Sequence, residues 1–155
     1  MKKIYFAAPL FNHAEIQFNL YLTNKIEKLG YKVYLPQRDG IDGIGIDRPP
    51  YNQMSREEVA RLIFDMDRNN ITDSDFFLFI LDGRVPDEGG CVEMGMAYEQ
   101  QQLKGKPKHI IGLHTDTRGA HLGAKFNPMI LVPLDKVVNN EEELLEYLKQ
   151  IYNHD

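Results

Sequence analysis

One cysteine in 155 residues leaves no internal disulfide framework to build, and it suits a reducing compartment. A basic excess is missing too. The formal net charge is −5 at pH 7, which argues against binding to nucleic acid or an anionic membrane, since both need a basic face. No apolar stretch approaches the ~20 residues of a membrane span. The apolar start over residues 4–11 is short and runs into Asn12, His13 and Glu15, so it reads as a strand, not a targeting segment. A cytoplasmic protein without nucleic-acid or membrane partners is expected.

The motifs of several α/β functions are absent as well. There is no G-x-x-x-x-G-K-[ST] phosphate loop, and no G-x-G-x-x-G fingerprint follows the first strand. Residues 8–12, Ala-Pro-Leu-Phe-Asn, lack the Gly, Ser and Thr groups that cradle phosphate. Without a G-x-S-x-G elbow, a serine hydrolase is excluded on the same grounds. Cys91, near a helix start where a thiol pKa falls, has no obvious His partner and reads better as small core filling. His114 and His121 show no metal-ligand spacing. Neither a metal nor a cofactor is expected.

What remains is an ordinary globular composition, 43% hydrophobic and 26% charged, in a length that fits one domain over residues 1–155. Short apolar runs at 4–8, 31–35, 75–81 and 109–113 read as strands, with 129–134 as a further apolar run. Amphipathic helices alternate with them. Asn12 with Glu15, and Ser55 with Glu58, have capping-box spacing, and Asn140 caps a last helix carrying Leu144, Leu145, Leu148, Ile151 and Tyr152. Residues 36–53, with three Gly and the Pro49-Pro50 pair, read as an irregular loop, either a lid or a surface excursion. Strand–helix alternation of this length predicts an α/β fold: a flavodoxin-like, doubly wound, five-stranded parallel sheet of order 2-1-3-4-5 with helices on both faces. Its switch point lies between strands one and three, which places Ala7 to Phe11 beside Asp82 to Glu93.

The stretch over residues 82–99 follows the strongest strand signal, Phe-Phe-Leu-Phe-Ile-Leu at 76–81, and enters a helix at about Cys91. Asp87, Glu88 and Glu93 therefore gather at the carboxyl end of a buried strand. Glu93 is expected in the helix's first turn, with Gly89, Gly90 and Gly95 leaving space over it. An acidic, phosphate-hostile crevice favours an uncharged or weakly basic ligand. Paired carboxylates suit cleavage of a glycosidic bond, one as nucleophile and one as acid. Spacing alone leaves each its ordinary duty: Glu93 on the helix dipole, Asp87 in a turn or N-cap, Asp67 on a solvated helix face.

These residues resemble the nucleoside 2-deoxyribosyltransferases, from Lys3-Ile4-Tyr5-Phe6-Ala7 through Asp67, Asp87 and Glu93-Met94-Gly95 to Asn127-Pro128-Met129. The resemblance implies Glu93 as the nucleophile on the anomeric carbon and Tyr5 as the group that orients it. It implies Asp67 and Asp87 as contacts to sugar or base that help protonate the leaving base. Ala7, Gln37 and Gly90 fall on substrate-contacting positions, and Leu10 and Phe11 flank the base or pack in the core. Asn127 and Met129 match a segment that reaches a neighbouring subunit's site, which implies a homo-oligomer built from dimers, up to a hexamer. The substrates implied are 2′-deoxynucleosides and free nucleobases. Two departures stand out. The chain ends Tyr152-Asn153-His154-Asp155, without the terminal aromatic of some relatives, and its first loop is Ala-Pro-Leu-Phe in place of a Gly-rich form.

Overall fold

The run Phe76–Ile80 forms β3, the middle strand of the sheet, and all five of its residues are buried. A strand covered on both faces carries apolar side chains at every position, which explains the lack of alternation in the run. The computed structural model describes residues 1–116 and 126–154; His121, most of the loop before Asn127, and Asp155 lie outside the described residues.

In chain order the elements are β1 (Lys3–Ala7), α1 (His13–Glu27), β2 (Lys32–Tyr34), α2 (Pro36–Asp39) and α3 (Ile41–Ile44). A 3₁₀ turn (Tyr51–Gln53) precedes α4 (Arg56–Asp73), which leads to β3 and then α5 (Glu88–Lys104). The chain closes with β4 (His109–Leu113), α6 (Pro128–Leu131), β5 (Lys136–Val138) and α7 (Glu141–His154). All strand pairs are parallel and the order is β2-β1-β3-β4-β5, as the strand–helix alternation predicts. No helix among the described residues is long and apolar enough to cross a membrane.

Alternation along each strand divides the core in two. One face carries Ile4, Phe6, Phe76 and Leu78 against Leu22 and Ile26 of α1 and Leu144 and Leu148 of α7. The other carries Tyr5, Ala7, Tyr34, Phe77 and Phe79 against Ile71 of α4 and Met94 and Ala97 of α5. Both predicted capping boxes form, at Asn12 with Glu15 and at Ser55 with Glu58, and each such cap is worth about 1 kcal/mol.

Three boundaries differ from the sequence reading. Helix α5 starts at Glu88, because Asp87 serves as its N-cap and accepts from the Gly90 amide. Glu93 consequently lies in the second turn, beyond the strongest reach of the helix dipole. The apolar run at 129–134 is no strand: Asn127 caps and Pro128 opens a short helix, and the fifth strand is Lys136–Val138. Residues 36–53 are not structureless, since α2, α3 and the 3₁₀ turn lie within them; Pro36 opens α2, and Asp39 returns a carboxylate oxygen to the Leu35 amide.

Gly90 has a packing reason of its own. A Cβ there would lie 2.3 Å from the Phe79 ring, so glycine lets α5 close directly onto β3. That contact fixes the height at which Glu93 stands over the sheet.

Candidate active site

Tyr5 and Tyr34 are register partners on neighbouring strands, and both point to the α4–α5 face. Their rings stack with centroids 5.5 Å apart, and Tyr5 stacks on Phe77 at 5.6 Å on its other side. Each hydroxyl meets a carboxylate delivered by a helix. Tyr5 donates to Glu93 Oε1 at 2.7 Å, and Tyr34 donates to Asp67 Oδ1 at 3.3 Å. A buried phenol needs such a partner, and a carboxylate that receives a hydrogen bond is turned to a defined orientation.

Burial pushes the Glu93 carboxyl up to about 8; the Tyr5 hydrogen bond opposes this, while the charges of Asp67 and Asp87 add to it. The Tyr5 hydroxyl is driven upward by burial and then by the Glu93 charge, so it stays protonated and keeps donating. Tyr34 is raised by burial and then by Asp67. A strongly perturbed carboxyl beside specific charged partners in a cavity wall is the pattern of a functional site. Glu93 and Asp67 line one cavity of about 400 Å³ between α4 and α5, walled by Ile63, Phe64, Val92 and Met96.

Asp87 stands at the edge of this group. Its Oδ2 accepts from the Gly90 amide at 2.8 Å, so the capping duty is real, yet its charge is felt at Glu93. It also lines a second cavity of about 370 Å³ at the carboxyl end of the sheet, with Pro9, Phe11, Glu15 and Asp82. Phe11 is 75% exposed there, which removes ordinary core packing as its reason. Leu10 is half-buried, and Ala7 is buried at the end of β1 on the Tyr5 face. The predicted meeting of the two loops therefore forms, but Glu93 itself opens onto the neighbouring α4–α5 cavity.

Of the three glycines expected to clear space over Glu93, Gly90 is filled by Phe79 and only Gly89 lines the cavity. The Gln37 amide is engaged by α1: its Oε1 accepts from Asn19 at 2.8 Å and its Nε2 donates to the Ile16 carbonyl at 3.0 Å. Asn127 caps α6 through the Met129 amide, and Met129 is 77% exposed; neither lines the cavities around Glu93 or Asp87. Burial, with the charges of Asp87 and Glu88, pushes the Cys91 thiol up, opposite to the lowering that a helix start would give. Tyr34 escaped the sequence reading. The signal was available once strand two was placed beside strand one, since a second tyrosine then falls next to Tyr5.

The family model for nucleoside 2-deoxyribosyltransferases matches residues 4–145. The chain belongs to this family. A conserved protein from Enterococcus faecalis V583 is 29% identical, with a TM-score of 0.76 over 97% of this chain and 99% of that one. The 2-deoxyribosyltransferase of Bacillus psychrosaccharolyticus is 20% identical, with a TM-score of 0.68 over 94% and 91%. A CMP N-glycosidase from Clostridium botulinum has the same fold at 18% identity and a TM-score of 0.54, over 95% and 98%. No curated protein sequence matches. The nucleoside 2-deoxyribosyltransferase family is one of enzymes, and in this member the tyrosine–carboxylate pairs occupy the face where α4 and α5 meet the sheet.

Proposed function

We propose that this protein exchanges the base of 2′-deoxynucleosides, carrying 2-deoxyribose on Glu93 between two nucleobases. The hydrogen bond from Tyr5 to Glu93 at 2.7 Å, in the wall of a cavity that Asp67 shares, is the observation that carries the reading. A Glu93 carboxylate oxygen attacks the anomeric carbon as the bond to the base nitrogen breaks, and the departing base takes a proton from the acidic pair Asp67 and Asp87. The second base then reverses both steps, which gives ping-pong kinetics. A 2-deoxy sugar lacks the electron-withdrawing hydroxyl, so its oxocarbenium-like transition state forms more easily.

The reacting form has Glu93 ionised and the proton for the departing base on a neighbouring acid. The Tyr5 hydrogen bond favours the charged form of Glu93 against the burial that raises its carboxyl, so ionised Glu93 is the attacking form. Phe11, exposed in the cavity beside Asp87, is the side chain assigned to stack on a base, with Leu10 next to it and Gln37 at the same end of the sheet. The working unit is one domain over residues 1–155 in a cytoplasmic homo-oligomer of dimers. The exposed Met129, Leu131 and Val132 around α6 support that assembly.

Incubation with 2′-deoxyinosine and free adenine is expected to yield 2′-deoxyadenosine by chromatography. Hypoxanthine and free deoxyribose without 2′-deoxyadenosine would replace transfer by hydrolysis.

A further inference from the structure

Four residues lie in register across the sheet on the α4–α5 face: Tyr34 in β2, Tyr5 in β1, Phe77 in β3 and Ile110 in β4. All are core residues by burial, and any of them packs adequately as a plain aromatic or aliphatic side chain. Hydroxyls occur at only two positions of this row. Those are the two where a helix presents a carboxylate, Glu93 from α5 and Asp67 from α4. Phe77 stacks on Tyr5 at nearly the same distance as Tyr34 does, and it carries no hydroxyl.

We infer that Tyr34 is a positioning residue for the reaction, holding Asp67 Oδ1 so that this carboxyl is turned to deliver its proton to the departing base. The inference rests on the base-exchange reading above and deepens it. A bond to one oxygen fixes the rotation of the Asp67 carboxyl about its last torsion, a broad and soft rotor when nothing holds it. The stack with Tyr5 in turn fixes the Tyr34 ring, so the two carboxylates are set by one rigid aromatic unit. The charged groups facing this unit are Glu93 from α5, Asp39 from α2 and Lys3 of β1, whose Nζ stands 5.9 Å from the Tyr34 ring centre.

Tyr34→Phe keeps the ring and the stack and removes the hydroxyl alone. The test compares it with the natural enzyme on two donors, 2′-deoxyguanosine and 7-methyl-2′-deoxyguanosine, by first-turnover release of base. Guanine needs a proton to leave; the cationic 7-methylguanine leaves without one. Positioned acid catalysis contributes about 10²- to 10⁴-fold, and a misturned acid forfeits part of it. The expected result is a loss of about 10- to 100-fold on 2′-deoxyguanosine, with KM within about twofold, and less than about threefold loss on the methylated donor. Asp67→Asn should show the same donor dependence, and adding Tyr34→Phe to it should cost no more. Equal losses on both donors, or additive losses in the double variant, would overturn the role, because a merely structural hydroxyl harms both reactions alike. No 2′-deoxyadenosine from 2′-deoxyinosine and adenine with the natural enzyme would instead sink the base-exchange reading and this inference with it.

Discussion

Replacing Glu93 with alanine is expected to remove base exchange, with a loss of roughly 10⁴-fold or more in kcat, the scale on which enzymes lose a covalent nucleophile. The size follows from the lack of a substitute. Asp67 belongs to a different helix and is bound to Tyr34. Asp87 is committed to the start of α5 through the Gly90 amide. Neither can move to the Tyr5 hydroxyl without breaking the contact that places it, and α5 is pinned to β3 where Gly90 meets Phe79. Initial rates of 2′-deoxyadenosine formation check the result, with a melting curve to establish that the variant is folded. A loss below about tenfold would be far too small for a nucleophile and would reassign Glu93 to packing.

The conservative change Glu93→Gln should give the opposite result for stability. In the folded protein the Glu93 carboxyl is pushed up to about 8, chiefly by burial, from the 4.5 of an unburied glutamate. Between those two values the folded state holds a proton that the unfolded chain has released. The unfolded state then binds fewer protons, so stability falls as pH rises through this window and levels off above it. At ~1.4 kcal/mol per pH unit the whole effect is of order 3–5 kcal/mol. Glutamine keeps an acceptor for Tyr5 and carries no charge, so the variant should gain on the natural protein steadily from pH 5 to pH 8. Urea unfolding at several pH values measures the difference. Two stability curves that run parallel over this range would mean that Glu93 titrates like an exposed carboxyl. A residue that lowers stability where the protein works is expected at a site selected for chemistry.

The two residues at the centre of the site were legible in different ways. The apolar run ending at Leu81 and the turn through Pro86 marked the carboxyl end of a buried strand, and parallel topology made that end a crevice. Strand–helix alternation carried the sheet order as well, because right-handed crossovers leave few alternatives. Glu93 itself stood out through its resemblance to a family, since its spacing fits a helix-dipole role equally well. Tyr34 was harder to see, because its partner Asp67 is 33 residues away and only the register of β1 and β2 joins them.

Boundaries failed where a polar residue decided them. Asp87 reads from sequence both as a site residue and as a turn or N-cap residue; its capping bond sets the helix start at Glu88 instead of Cys91 and carries Glu93 into the second turn. The apolar content of 129–134 suggested a strand, while Asn127 and Pro128 turned it into a helix and left β5 to Lys136–Val138. Gly90 looked like cleared space from sequence, and only the position of Phe79 shows that the space is occupied. Pairwise contacts between distant elements leave no local pattern in the sequence.

The most direct measurement is the mass of the protein, and then of its peptides, after incubation with 2′-deoxyinosine in the absence of any acceptor base. The expected result is one deoxyribosyl unit on the peptide containing Glu93, removed on addition of adenine with formation of 2′-deoxyadenosine. Base exchange with the sugar found on another residue would contradict Glu93 as the nucleophile.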